Sequence, residues 1–227
     1  LDATTGDEGL PSLPTGDINK GSATLDPDGF PLYYAGSRDN LLRVVALDRA
    51  EPTVLWSLDA QSVKPRIWND DWDGAPILVG DYLVEGGENS RIHVIRLNRG
   101  YGPDGLVTVA PELVFSAAGW DDQLLADIGD RKVSIENSVA IAGDIAYFGN
   151  SGGLVQGWDL SGYRDGSGRE PTRVFRYWMG DDTDASVVVD TEGYLYVAAE
   201  YERRLPRARE VGQLVKLDPR NPDNPLV

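Results

Sequence analysis

Three stretches of the chain place tryptophan beside clustered carboxylates. They are Arg66-Ile67-Trp68-Asn69-Asp70-Asp71-Trp72-Asp73, then Gly119-Trp120-Asp121-Asp122 through Ser134-Ile135-Glu136-Asn137, then Trp178-Met179-Gly180-Asp181-Asp182-Thr183-Asp184. Carboxylates held together repel one another unless a cation neutralises them. Indole rings next to acids can also stack on sugar C–H faces while the acids bond hydroxyls. Two readings therefore stand for these loops: a solvated acidic rim, or a cation or polyol site contacted by Trp68, Trp72, Trp120, Asp121, Asp122, Glu136, Asp182 and Asp184. Asn69-x-Asp71-x-Asp73-Gly74 has the alternating oxygen donors and turn glycine that open a calcium loop, so Asn69, Asp71 and Asp73 are the candidate metal ligands. The match departs from the helix–loop–helix calcium motif, whose twelfth position is glutamate; here it is Gly80. A fourth stretch, Tyr201 to Glu210, packs in Arg203, Arg204, Arg207 and Arg209. Arginine favours bidentate contacts with carboxylate or phosphate, so Arg203 and Arg204 are candidate anion or partner contacts, against a solvated turn paired with neighbouring acids.

The composition closes other routes. Lys and Arg number 21 against 37 Asp and Glu, a net charge of −16, which repels phosphate backbones and argues against nucleic acid as a partner. With no cysteine there is no disulfide, thiolate nucleophile or cysteine-held metal, and a single histidine removes multi-histidine metal sites. Oxygen-only donors point to calcium or magnesium. His93 lies in the strand-like run Arg91-Ile92-His93-Val94-Ile95-Arg96-Leu97 and reads as structural; no Gly-x-Ser-x-Gly elbow exists to build a hydrolase on it. Gly149-Asn150-Ser151-Gly152-Gly153 lacks the lysine of a phosphate loop and reads as a hairpin turn. No apolar run reaches the roughly 18 residues of a membrane helix, so no transmembrane segment is expected.

The elements that must position these loops repeat along the chain. Four segments align: 22–37, 74–87, 138–153 and 185–200, each an apolar strand, a turn at glycine or acidic residues, and an aromatic-rich return strand. A third strand follows each, and a fourth follows the first three: 53–58, 106–115 and 173–178. Leu47, Leu97, Trp158 and Leu217 anchor the repeat at matching strand exits. Four antiparallel strands in each such period are the signature of a β-propeller blade. The fold class is accordingly all-β, a propeller of about four four-stranded blades at 22–59, 75–116, 138–178 and 185–227, with residues 1–12 from a preceding blade; the whole reads as a piece of a larger ring, against a four-bladed ring closed by pairing the two ends. In such a ring the loops between blades share one face with the turns between second and third strands. That face would carry the acidic loops and the arginine stretch. One short helix is expected at Asp122–Ile128, capped by Asp121 and ended by Gly129.

Ala46-Leu47-Asp48-Arg49-Ala50-Glu51-Pro52-Thr53-Val54-Leu55-Trp56-Ser57 resembles the blade motif of quinoprotein-type (PQQ-like repeat) propellers, Ala-x-Asp-x-x-Thr-Gly-x-x-x-Trp, and Leu1-Asp2-Ala3-Thr4-Thr5-Gly6 resembles its first half. Glu51-Pro52 stands where the family has Thr-Gly, and the second and third repeats carry inserts at 98–106 and 161–171. The resemblance implies a propeller with tryptophans such as Trp56 and Trp158 docked between blades. It implies fold rather than activity. Two functions are carried forward. The first is a non-catalytic binding or assembly scaffold, extracellular or periplasmic, taking protein, carbohydrate or small polar ligands, with calcium as the expected ion. The alternative is an enzyme: a PQQ-dependent dehydrogenase, or a carbohydrate-active lyase or hydrolase. The family's quinone enzymes usually add a vicinal cysteine pair, which argues against PQQ here. A glycosidase would need two carboxylates about 5–9 Å apart.

Overall fold

A computed structural model describes residues 4–227. The chain is predominantly β, 34% strand and 9% helix, in a series of antiparallel sheets, none of them closed. Sheet 1 is β1 (Thr24–Leu25), β2 (Leu32–Ala35), β3 (Leu41–Ala46) and β4 (Thr53–Asp59), in that order. Sheet 2 is β5 (Ile77–Val79), β6 (Tyr82–Gly87), β7 (Arg91–Arg96) and β10 (Glu112–Ala118); between β7 and β10 a small hairpin, β8 (Gly100–Tyr101) and β9 (Val107–Thr108), occupies the insert. Sheet 3 is β11 (Ala140–Ala142), β12 (Ile145–Phe148), β13 (Leu154–Asp159) and β14 (Thr172–Trp178). Sheet 4 is β15 (Val188–Val189), β16 (Leu195–Ala198) and β17 (Leu214–Leu217), and a bridge from Leu217 to Leu226 starts a further edge. The helices are α1 (Asp122–Ile128), α2 (Ser161–Arg164) and α3 (Pro206–Val211).

Strand periodicity sets the packing, because successive side chains point to opposite faces. Tyr34, Leu42 and Val44 of sheet 1 meet Leu83 and Ile95 of sheet 2 in one core. The other face of sheet 2, Val84, Ile92 and Val94, meets Ala146 and Phe148 of sheet 3. Sheet 3 then turns Tyr147, Val155 and Phe175 towards Leu195, Val197 and Val215 of sheet 4. Each sheet thus packs by opposite faces on the sheets before and after it. Sheets 1 and 2 are also clamped by Arg99, 5% exposed in its side chain, whose guanidinium reaches Asp26 at 2.7 Å, Asp28 at 2.9 Å and Asp81 at 3.0 Å.

The repeat alignment shifts at two of its four anchors. Leu47 and Leu97 donate their amides to the carbonyls of Pro31 and Asp81, and the matching bond in sheet 3 runs from Leu160 to Asp144. The structural counterparts of Leu47 and Leu97 are therefore Leu160 in sheet 3, just beyond Trp158, and by register Pro219 in sheet 4, just beyond Leu217. The sequence alignment follows the aspartate at the strand exit, whereas the ladder follows the apolar residue that docks on the hairpin. Residues 4–23 contain no strand, and Leu1–Ala3 lie outside the described residues, so the described residues hold no strand of the expected preceding blade.

Candidate functional site

The loop from sheet 1 to sheet 2 delivers the first carboxylates. Asp71, Asp73 and, from the β6–β7 hairpin, Glu88 can each offer one oxygen within 4.8 Å of the others. Glu88 is 3% exposed. It is not among the ligands expected from the sequence, because it stands well beyond Asp73 in an unremarkable hairpin. Asn69, by contrast, is not positioned as a ligand beside them: its amide donates to Glu88 Oε2 at 2.6 Å, so it holds the glutamate. A cation is already supplied by the chain. Lys20 Nζ lies 2.7 Å from Asp73, 3.5 Å from Glu88 and 3.8 Å from Asp71, and Arg38 Nε lies 2.7 Å from Asp71. One oxygen of Asp73, Oδ1, is nonetheless buried with no hydrogen-bond partner.

This group continues into the next two loops through like-charge coupling. Burial, together with the neighbouring Glu136, Asp73 and Asp71 carboxylates, pushes Glu88 up to about 7. Burial raises Glu136 as well, assisted by Asp184 and Asp73. Burial, a hydrogen bond with Asp184 and the charges of Asp184 and Glu136 hold Asp182 at about 8, and its Oδ1 has no partner. Carboxylates from the loops after sheets 1, 2 and 3, with one hairpin residue, therefore share a single electrostatic neighbourhood. Their charges disfavour one another, so protons or cations must balance them.

Other expected site residues serve the scaffold. Trp72 is fully buried: its ring sits 4.9 Å from His93 and its indole N–H donates to Asn40 at 2.8 Å, so it offers no surface to a ligand. The apolar side of the ring outweighs its position between two aspartates, and the side chain turns into the core. Trp68, 47% exposed with φ +69°, does face outward; Lys132 lies 5.3 Å over its ring, beside a depression of about 310 Å³ that it lines with Asn69. Trp120 is half-buried against the cluster of Ile67, Leu124, Val133 and Leu154. Asp121 caps α1 through Leu124 N at 2.9 Å and is gripped by Arg176 and Arg173; Arg176 foremost holds its carboxyl well below the usual range. The same arrangement leaves Asp122 exposed in the first helical turn. Arg203 binds the carbonyls of Ser151 at 2.9 Å and Lys132 at 2.7 Å and reaches Asp130 at 3.4 Å, tethering its loop to sheet 3. Arg204 is exposed, with φ +56°, and its amide and that of Arg203 both donate to Asp181.

One buried group, Glu85, escapes the sequence reading, and it faces His93, which the sequence marks as structural. Glu85 and His93 face each other across β6 and β7, are 1% and 0% exposed, and both Glu85 oxygens lack a hydrogen-bond partner. Burial raises Glu85 well above its ordinary value and lowers His93 to about 3, in each case favouring the neutral form. Glu85 occupies a strand position that points into the core, a signal the sequence did contain.

The sheets form a propeller-like series, all β and antiparallel. No protein-family model and no curated protein matches the sequence. Solved structures share its fold. The chain is similar to the computationally designed Ika4 protein, at 13% identity and TM-score 0.55 over 93% of this chain and 97% of that one. It is similar to the quinohemoprotein alcohol dehydrogenase ADHIIG from Pseudomonas putida HK5, at 12% identity and TM-score 0.54, over 82% of this chain and 29% of the enzyme. It is similar to Sqt1 from Chaetomium thermophilum, at 14% identity and TM-score 0.58, over 90% of this chain and 45% of that one. Identities this low carry the fold alone. Among the described residues no helix is long and apolar enough to cross a membrane.

Proposed function

We propose that the chain is part or all of a quinoprotein-like β-propeller acting as a binding scaffold, with its sheets as blades and its acidic loop face as the binding surface. The observation that carries this reading is the mutual coupling of Asp71, Asp73, Glu88, Glu136, Asp182 and Asp184, which come from separate sheets. A hard cation, calcium in the first instance, docks against Asp71, Asp73 and Glu88, whose oxygen donors suit it. Lys20 is displaced or shifted when it does. Exposed Trp68, above the depression beside Asn69, then meets a polar or polyol ligand. A site that must displace its own lysine binds weakly, which suits the extracellular or periplasmic setting, where calcium modules work at roughly 10⁻⁴–10⁻³ M. Terbium, a luminescent stand-in for calcium excited through tryptophan, provides the test. Emission that saturates, is competed away by calcium and is lost in Asp73→Asn supports the reading; no sensitised emission, or emission unchanged in Asp73→Asn, rejects the ion site.

A second reading has one observation in its favour. Asp182 keeps its proton at neutral pH beside Glu136 and Asp184, the condition a general acid needs in glycoside hydrolysis. Release of a chromophore from aryl glycosides, abolished by Asp182→Asn, would support it, and no turnover across a panel of such glycosides would reject it.

A further inference from the structure

The loops that lead into the first strand of each sheet hold four residues at one equivalent position. Lys20, Asp73, Glu136 and Asp184 each stand four residues before the start of β1, β5, β11 and β15. Strand register makes those starts, Thr24, Ile77, Ala140 and Val188, counterparts of one another. The loops also lie directly against each other. A side chain at Gly21 would collide with the Asp73 and Gly74 carbonyls, and one at Gly74 with the Asn137 carbonyl. One step further on, the amide of Ala75 donates to the Ser138 hydroxyl at 2.8 Å, and that of Ser138 to the Ser186 hydroxyl at 3.1 Å. Successive loops are therefore in register and in contact, and their equivalent residues form a row of one ammonium followed by three carboxylates. The ammonium serves its neighbour: Lys20 Nζ lies 2.7 Å from Asp73 Oδ2. The other Asp73 oxygen, on a side chain only 10% exposed, has no hydrogen-bond partner. Along the row Glu136 accepts from the Ser134 hydroxyl and faces the charges of Asp184 and Asp73. Asp184 in turn shares a hydrogen bond with Asp182, whose Oδ1 is buried without a partner.

We propose that this row binds a linear aliphatic polyamine, whose ammonium groups meet Asp73, Glu136 and Asp184 in turn. The inference rests on the acidic face being the binding surface and names a class of ligand for it. Lys20 supplies the chemical precedent, because its unbranched alkyl chain brings an ammonium to 2.7 Å from Asp73 and 3.5 Å from the buried Glu88. A slender donor of that kind can also reach Asp73 Oδ1. Distribution of charge separates this ligand from a metal ion. Among the described residues the carboxylates that converge on one point are Asp71, Asp73 and Glu88, whereas the row spreads its acids over three loops. Charges spread along a flexible chain match that pattern, and an ammonium offers three donors to bridge neighbouring carboxylates. The net charge of −16 draws a polycation towards the face. Polyamine and calcium share Asp73, so each excludes the other there.

Calorimetric titration of the whole chain with spermidine, run beside the terbium titration, tests this directly. The expected result is saturable binding that weakens with salt and competes with terbium, while the monoamine butylamine binds about tenfold more weakly. Glu136→Gln and Asp184→Asn change charge but hardly shape, at a half-buried and an exposed residue. Each should weaken spermidine about tenfold with unchanged circular dichroism, while terbium still saturates as in wild type. Terbium uptake without spermidine uptake at about 1 mM overturns the polyamine and leaves the ion site standing. Spermidine uptake without terbium uptake supports the polyamine and rejects the ion site. Spermidine affinity equal to wild type in both variants overturns the row as its site. Tighter binding of a trilysine peptide than of spermidine overturns the free polyamine in favour of a lysine-bearing chain.

Discussion

At the scale of single residues, buried titratable groups set the pH behaviour. The folded chain keeps a proton on Glu85 that the unfolded chain releases above about pH 4.5, so Glu85 favours folding below that pH and its contribution is lost as pH rises. Glu88, at about 7, and Asp182, at about 8, act in the same direction. His93 acts oppositely: held near 3 when folded against 6.5 when free, it costs stability as pH falls below 6.5. Between about pH 7.5 and 8.5 the histidine is neutral in both states and the carboxyl groups set the change. The unfolding free energy in chelator should therefore fall across that window, by up to about 1.4 kcal/mol per pH unit for each group still protonated in the folded state, and Tm should fall with it. Glu85→Gln removes one contributor, and should raise Tm at pH 8 and flatten the slope; an identical slope in wild type and variant would remove Glu85 from the account. The sequence showed these residues but not their partners. Asp71 and Asp73 were visible as a spaced pair, while Lys20 and Glu88 are remote from each other in the chain and meet only after sheets 1 and 2 have packed.

At the scale of elements, short loops carry the site, and their shape depends on a few backbone positions. Helix α1 was legible in full: Asp121 caps it and Gly129 ends it with φ +65°, as the residue types require. The same cap explains why Asp121 does not serve the acidic face, since its oxygens are taken by Leu124 N, Arg173 and Arg176. Asp121→Ala should cost about 1–2 kcal/mol from the lost cap, read as a lower denaturation midpoint, with cation uptake unchanged. Loss of uptake in that variant would contradict this division of roles. Gly153 governs the third loop. Its φ is +81°, and a methyl group there would collide with the Asp181 carbonyl. Gly153→Ala should lower Tm by several degrees and also weaken cation binding, because residues 181–184 must move. Tryptophan was the least legible element. Trp68 and Trp72 lie close together in one loop, yet one is exposed and the other closes the core against His93, a choice made by the packed sheets around them.

At the scale of the whole molecule, the repeated hairpins were legible because alternation and turn residues recur in each period, and the inner strands fall at 24–25, 77–79, 140–142 and 188–189. The two-residue offset of the Trp158 and Leu217 anchors was not, since it depends on how each third strand pairs with its own hairpin. Joining of sheets 1 and 2 rests on Arg99 as well as on apolar packing. Asp26 is fully buried in its side chain and also accepts from Tyr34 at 2.6 Å, so Arg99→Met would strand a buried carboxylate. Breaking a buried pair from one side costs about 3–5 kcal/mol, and the loss should appear as a destabilised chain partly rescued by Asp26→Asn. Uptake of a cation by Asp71, Asp73 and Glu88, within the acidic face that the three loops share, is the central claim. Thermal melts at pH 7 with chelator and with millimolar calcium, on wild type and on Asp73→Asn, test it most directly. Millimolar calcium is about tenfold above a Kd of about 10⁻⁴ M, and binding to the folded chain alone then raises stability by about 1.4 kcal/mol. The account predicts a calcium-dependent rise in wild-type Tm that Asp73→Asn abolishes; superimposable wild-type melts in the two buffers would contradict it.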